Sequence, residues 1–252
     1  MTGSWLRNGD ATTDAPLRLF CFPHAGGGGG FFRPWRALLP PQIEVCPVIL
    51  PGREARIEET PYTRMTDLID ALCEGLAPYL VRPYALFGHS TGAAVAYEVA
   101  RRFDGDPLRA PRRLLVSGRR APHLAARRRA FADLNDAVFL QAVVQLGGIP
   151  EEVLRHRELV RMFLPGLRAD FAVNETYRPA EGPPLTCPVA AFTGEQDPEV
   201  TPLEMSLWNR TTEGPFRMTV YEGNHFYLKD LPGPLRADLA AELDEDVRQA
   251  AA

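Results

Sequence analysis

The pentapeptide Gly88-His89-Ser90-Thr91-Gly92 stands where an apolar run, Tyr84–Phe87, gives way to small and branched residues from Ala93 to Phe103. A strand that passes into a helix over so few residues must turn sharply, and the residue at the corner is forced into a strained backbone conformation. Side chains two positions to either side would collide there, so glycine is required at 88 and 92. The serine at the apex has its hydroxyl lifted clear of the strand, where a substrate can reach it. Few other short patterns fix a strand, a helix and a reactive group at once.

The rest of the chain alternates around that corner. Leu17–Phe22 reads as a buried strand ending in Pro23 and a glycine run, and Ile43–Leu50 as a second strand closed by Pro51-Gly52. Leu68, Ile69, Leu72, Leu76 and Leu80 have helical spacing, with Thr66 as the expected cap of a helix reaching Leu80. Leu114–Val116 is a fourth strand, and strands resume at Val189–Thr193 and Met218–Tyr221 before a final helix from about Pro234 to Ala251. Strand and helix alternating across short loops predict a mostly parallel sheet with helices on both faces. From Ala125 to about Tyr177 the pattern is helical only: Asp133 to Leu146, Pro150 to His156, then Arg157 to Phe171. Val138, Leu140, Val143 and Val144 give this stretch apolar faces of its own. A single domain over 1–252, interrupted at 125–177 by a helical lid, is the expected organisation.

Composition narrows the function. The 252 residues carry a formal net charge of -4, which gives no reason to expect nucleic acid as a partner. Cys21, Cys46, Cys73 and Cys187 are scattered, without a C-x-x-C pair for zinc or redox exchange, and no disulfide or metal is expected. The first residues are polar, without the apolar core of a signal peptide, and no stretch is long and apolar enough to span a membrane. A cytoplasmic protein is expected. A monomer is the default, since no feature argues for or against a dimer.

A serine hydroxyl needs a base, and in a chain built around this corner the acid and then the histidine follow the serine. His225, in Gly223-Asn224-His225-Phe226 directly after the last strand, is placed to reach back to Ser90. His123 and His156 fall at the edge of the helical stretch and inside it, while His24 and His89 come too early. For the acid, the loop after Leu114–Val116 reads Ser117-Gly118-Arg119-Arg120 and offers no carboxylate. Thr193-Gly194-Glu195-Gln196-Asp197-Pro198 offers two, and Asp197 is favoured over Glu195 as the group that orients the imidazole. A tetrahedral intermediate needs two backbone N–H donors. Thr91, at the start of the helix, supplies one, and Ala25, ahead of Gly26, the other. The glycines from 26 to 30 match neither phosphate-loop nor dinucleotide spacing, so no cofactor is expected. These residues point to a serine hydrolase of the α/β-hydrolase fold.

The set Phe22-Pro23-His24-Ala25-Gly26-Gly27, Pro51-Gly52-Arg53, Gly88-His89-Ser90, Gly194-Glu195-x-Asp197 and Gly223-x-His225-Phe226 resembles the type II thioesterases. These are stand-alone editing enzymes of polyketide and non-ribosomal peptide assembly lines. The resemblance runs from about Leu17 to Leu228. It implies hydrolysis of acyl groups from the phosphopantetheine thiol of acyl or peptidyl carrier proteins, and it agrees with Asp197, Ala25 and Thr91 in their roles. Thr91 stands where the family pattern usually has methionine, a change that leaves the backbone donor intact and alters the side chain. Carrier proteins are typically acidic, and Arg119, Arg120, Arg127, Arg128 and Arg129 form the candidate docking face, against the alternative of a solvated charge run. The same triad serves a carboxylesterase or a chain-releasing acyltransferase or cyclase, and the sequence leaves those alternatives open.

Asp197→Asn is expected to lower turnover by a factor on the order of 10⁴, because the wrong imidazole tautomer is then held. Glu195→Gln is expected to cost little. Steady-state kinetics on one thioester separates the two, and the reverse order would reassign the acid.

Overall fold

The computed structural model describes residues 4–6, 11–124, 131–147, 149 and 151–251. Its sheet consists of β1 (Leu17–Phe22), β2 (Ile43–Pro47), β3 (Tyr84–His89), β4 (Arg113–Ser117), β5 (Val189–Gly194) and β6 (Phe216–Tyr221). The order is β2-β1-β3-β4-β5-β6, and every neighbouring pair is parallel. The helices are α1 (Trp35–Leu38), α2 (Met65–Leu76), α3 (Thr91–Phe103), α4 (Asp136–Gln145), α5 (Arg157–Thr176), α6 (Pro202–Ser206) and α7 (Gly233–Ala251).

Parallel strands need crossover helices, and those helices cover both faces of the sheet. The side-chain alternation follows directly. In β1, Leu17, Leu19 and Cys21 join Trp35, Leu239 and Leu243 on one face, while Phe20 and Phe22 join Leu72 and Val95 on the other. All six residues of β1 are buried, including Arg18, whose guanidinium is taken up by Glu44 and by the carbonyls of Ala11 and Tyr79. Strand order reverses between β1 and β3, since β2 lies on one side of β1 and β3 on the other. The crevice at the carboxyl ends of β1 and β3 is where sheets of this kind bind ligands.

Element ends depart from the sequence expectation for local reasons. α2 begins at Met65, with Arg64 in the cap position and no side-chain cap; Met65 is buried, and Thr66 is exposed in the first turn. The α-helix stops at Leu76, because Pro78 cannot donate and the chain tightens into a 3₁₀ turn at Ala77–Tyr79. α5 runs on to Thr176 despite Pro165 inside it.

Between β4 and β5 the described elements are helical. Asn135 caps α4 by accepting the Val138 N–H at 3.1 Å. Phe139, Leu140 and Val143 of α4 pack on Leu167 and Phe171 of α5 in a small core separate from those on the sheet. Val138, expected on an apolar face, is 46% exposed, whereas Phe139 beside it is fully buried. Among the described residues no helix is long and apolar enough to cross a membrane.

α7 is held to the sheet by charge as well as by leucines. Arg113 at the start of β4 donates through Nε to Asp246 Oδ2 at 2.7 Å and through Nη1 to Glu242 Oε2 at 3.1 Å. Removing one partner leaves a buried charge under-compensated, which is more costly than never having had the pair. Asp246→Ala is expected to lower unfolding free energy by about 3 kcal/mol in denaturant titration, and Arg113→Met with Asp246→Leu to recover most of that loss.

Candidate functional site

Ser90 caps α3 with φ 55° and ψ -119°, a conformation that costs a non-glycine residue about 1–3 kcal/mol. The surroundings impose it. The Ser90 N–H donates to the Ser117 carbonyl at 2.8 Å, and the Ser90 carbonyl accepts from Ala93 N–H at 3.0 Å. A Cβ on Gly88 would stand 2.2 Å from the Gly92 carbonyl oxygen, and one on Gly92 2.1 Å from that of Phe22. Both contacts are with backbone, which cannot swing aside. The two glycines let α3 start directly against the ends of β1 and β3.

Asp197 and His225 come together from the loops after β5 and β6. His225 Nδ1 lies 2.7 Å from Asp197 Oδ2, and Asp197 Oδ1 accepts the Glu199 N–H at 2.8 Å. The Asp197 side chain is fully buried and that of His225 is 8% exposed. With Asp197 ionised, Nδ1 carries the proton and Nε2 keeps its lone pair. The loops can meet because residue 194 is glycine: a Cβ there would lie 2.4 Å from the Asn224 carbonyl oxygen. The Glu195 side chain is exposed, as are His123 and His156.

Ala25 lies in the loop after β1. Gly26, the competing donor, is already committed, because its N–H donates to Asp170 Oδ2 at 2.7 Å. Ala25 and Thr91 line one small cavity with Phe22, Leu50 and Val95. Thr91 is the first residue of α3, and its N–H has no acceptor within the helix.

The arginines divide. Arg119 donates to Asn174 Oδ1, its guanidinium lies 5.7 Å from the Tyr177 ring centroid, and its carbonyl accepts from Trp208 Nε1 at 2.6 Å. Arg120 Nε is 2.9 Å from Glu204 Oε1. Both have partners within the chain. Arg127, Arg128 and Arg129 lie outside the described residues.

Two histidines set aside on chain order prove to be neighbours of His225. The His89 ring is centred 4.8 Å from that of His225 and 5.8 Å from that of His24, and Phe226 packs edge-on against both His24 and His89. His89 Nδ1 is 3.0 Å from Ser117 Oγ, which is 2.7 Å from Tyr227 Oη. Burial is the main force holding the pKa of His24 down to about 3, helped by the charges of His225 and Arg53. Burial likewise takes His89 well below its ordinary value, with His225 and His24 adding to the effect. Both rings stay neutral around the imidazole that contacts Asp197. Chain order concealed them, because it says nothing of which loops converge in space. Asp170 was also missed, although a signal existed: it falls between Leu167 and Phe171 on the apolar side of α5.

A family model of the thioesterase domain matches residues 17–234. The linear gramicidin dehydrogenase LgrE of Brevibacillus parabrevis is 43% identical over 227 residues, covering 89% of this chain and 86% of that protein. RedJ, the thioesterase from the prodiginine biosynthetic pathway in Streptomyces coelicolor, superposes with a TM-score of 0.83 at 41% identity, covering 92% of this chain and 91% of its own. BorB, the type II thioesterase from the borrelidin biosynthetic cluster, gives 0.83 at 35% identity over 98% of each chain.

Neutral buried histidines make stability depend on pH. The folded pKa of His24, about 3, lies below its unfolded value near 6.5, so the unfolded chain binds more protons between the two. The stabilisation is fully present above about pH 6.5 and is lost as pH falls toward about 3. His24→Leu is expected to flatten the decline of unfolding free energy by up to about 1.4 kcal/mol per pH unit in that window. Denaturant titrations at pH 4.5, 5.5 and 7 would reveal it, and an unchanged slope would mean that His24 titrates normally.

Proposed function

This chain belongs to the thioesterase family, among the type II thioesterases of polyketide and non-ribosomal peptide pathways, and we propose that it hydrolyses carrier-bound acyl thioesters through Ser90, His225 and Asp197. The observation that carries the reading is the buried contact of 2.7 Å between His225 Nδ1 and Asp197 Oδ2, on the sheet edge that also bears the strained Ser90. In the proposed cycle His225 Nε2 takes the Ser90 proton as Oγ attacks the thioester carbonyl. The oxyanion accepts from the N–H groups of Ala25 and Thr91, and Asp197 stabilises the imidazolium. The C–S bond breaks, His225 returns the proton to the departing thiol, and Ser90 is left acylated. Water deprotonated by His225 then attacks the acyl-enzyme, and the acid is released with Ser90 restored. No step calls for a metal or a redox cofactor.

The substrate we propose is an acyl or peptidyl carrier protein that presents its thioester on a phosphopantetheine arm, in the cytoplasm. The helical segment 125–177 is proposed as the lid. An open groove of about 590 Å³ between α4 and α5 sets Leu140, Val144, Val160 and Leu164 beside polar side chains such as Gln141 and Arg161, and its apolar strip is the proposed place for an acyl chain. The arginine run remains the proposed docking face for an acidic carrier. Because Arg119 and Arg120 are occupied within the chain, that role falls on Arg127, Arg128 and Arg129.

Ser90→Ala is expected to fold normally, to lose labelling by a fluorophosphonate probe, and to lower turnover by several orders of magnitude. A thioester and an oxoester with the same acyl group, and the thioester offered on a carrier protein and on a small pantetheine-like thiol, complete the test. Preference for the carrier-bound thioester is the expected result. Wild-type rate in the Ser90→Ala protein would remove the mechanism, and preference for the oxoester would remove the substrate assignment.

A further inference from the structure

Asp170 belongs to α5, yet its carboxylate reaches into the loop that carries Ala25. Oδ2 accepts the Gly26 N–H at 2.7 Å. The two carboxylate oxygens also take both ends of the Arg53 guanidinium, at 2.8 and 2.6 Å, and Arg53 Nη1 donates to the Gly27 carbonyl at 2.7 Å. The pair is shielded, with 12% of the Arg53 and 8% of the Asp170 side chain exposed. The same stretch of α5 touches the loop by packing as well: a Cβ on Gly26 would lie 2.5 Å from Leu167 Cδ1.

The loop itself explains what this contact controls. The Gly27 N–H donates to the His24 carbonyl at 2.9 Å, closing a four-residue turn with Ala25 and Gly26 at its centre. Gly26 has φ +77°, as the third residue of a type II turn requires. Type I and type II turns differ by rotation of the central peptide, here the one joining Ala25 to Gly26. An acceptor fixed on the Gly26 N–H therefore selects one orientation of that peptide and anchors Ala25 through its carbonyl side; the Ala25 N–H, in the preceding peptide, is held through the anchored turn. Asp170 lines the same cavity as Ala25 and Thr91, so a lone carboxylate there would repel a developing oxyanion. The bidentate Arg53 offsets that charge while leaving Oδ2 able to accept from Gly26. A buried ion pair is weak evidence for added stability, and a positioning role accounts for its presence at this spot.

We propose that Asp170 is a positioning residue for the reaction: from α5 it clamps the Gly26 N–H and so holds the Ala25 N–H ready for the oxyanion. This rests on the assignment of Ser90 and Ala25 made above. It also ties the helical segment to the chemistry, since the turn is set only when α5 is docked.

Two double variants isolate the acceptor without stranding a buried charge: Arg53→Met with Asp170→Asn, and Arg53→Met with Asp170→Leu. Asparagine can still accept from Gly26, whereas leucine of similar size cannot. On a small acyl thioester, kcat of the leucine variant is expected about 100-fold below that of the asparagine variant, with KM within about threefold, as for loss of one oxyanion donor. Equal kcat values, or a difference confined to KM, would overturn the proposal. Should the leucine variant fail to fold, amide hydrogen exchange in the unaltered protein decides the matter: a protected Gly26 N–H is expected, and an unprotected one overturns the proposal too. Ser90→Ala assayed alongside separates the two readings. Retained activity there defeats the site assignment, whereas loss of activity there with equal double variants defeats only the role of Asp170.

Discussion

Backbone meets backbone where α3 begins. The carbonyl of Phe22 at the end of β1, the carbonyl of Gly92 in the first turn of α3 and the Cα of Gly88 near the end of β3 occupy a space with no room for a Cβ. Ser90 is held at positive φ because the helix must start there. The N-terminus of α3 then points at the crevice where strand order reverses, and unpaired N–H groups are available to a developing negative charge. The loops after β1, β5 and β6 all emerge at this edge because every strand of the sheet runs the same way. Parallelism therefore gathers residues as far apart in sequence as Ala25, Ser90, Asp197 and His225 at one rim.

Low dielectric and limited charge characterise that rim. Three imidazoles lie close together, and burial keeps His24 and His89 uncharged. Asp197, enclosed and hydrogen-bonded through both oxygens, faces His225 alone of the three through a direct contact. The chain Tyr227, Ser117 and His89 passes beside this pair and satisfies buried polar atoms that would otherwise be costly. Phe226 packs edge-on against both His24 and His89.

The helices between β4 and β5 form a second packing unit with its own core, joined to the sheet through α5. At the junction, Gly166 faces the Gly52 carbonyl, Leu167 faces Gly26, and Asp170 binds Arg53. Pro165, which has no N–H to give to the helix ladder, stands directly before this docked stretch. The part of α5 before it lines the open groove shared with α4. One helix thus serves two environments, with the imperfection in its ladder between them.

Much of this was legible in the chain of residues. The corner at Gly88 to Gly92 announced itself because its steric demand is local, and the inner strands were visible because burial on both faces leaves mostly apolar runs, while β6, only partly buried, showed a shorter one. Asp197 and Glu195 share the loop beyond β5, and the family resemblance supports Asp197; the structure buries Asp197 and exposes Glu195. Element ends were less legible: Met65 rather than Thr66 starts α2, since burial of one side chain outweighs the capping tendency of another. Arg119 and Arg120 looked like free surface charge, because nothing in the sequence near them shows Asn174 or Glu204 arriving from other elements. His24, His89 and the clamp of Asp170 on Gly26 were decided by tertiary structure alone. Local sequence sets periodicity, turns and glycine requirements, which act over a few bonds. Which buried polar group meets which depends on the crossing of elements from about thirty to more than a hundred residues apart, and only the closed fold brings those within hydrogen-bonding distance.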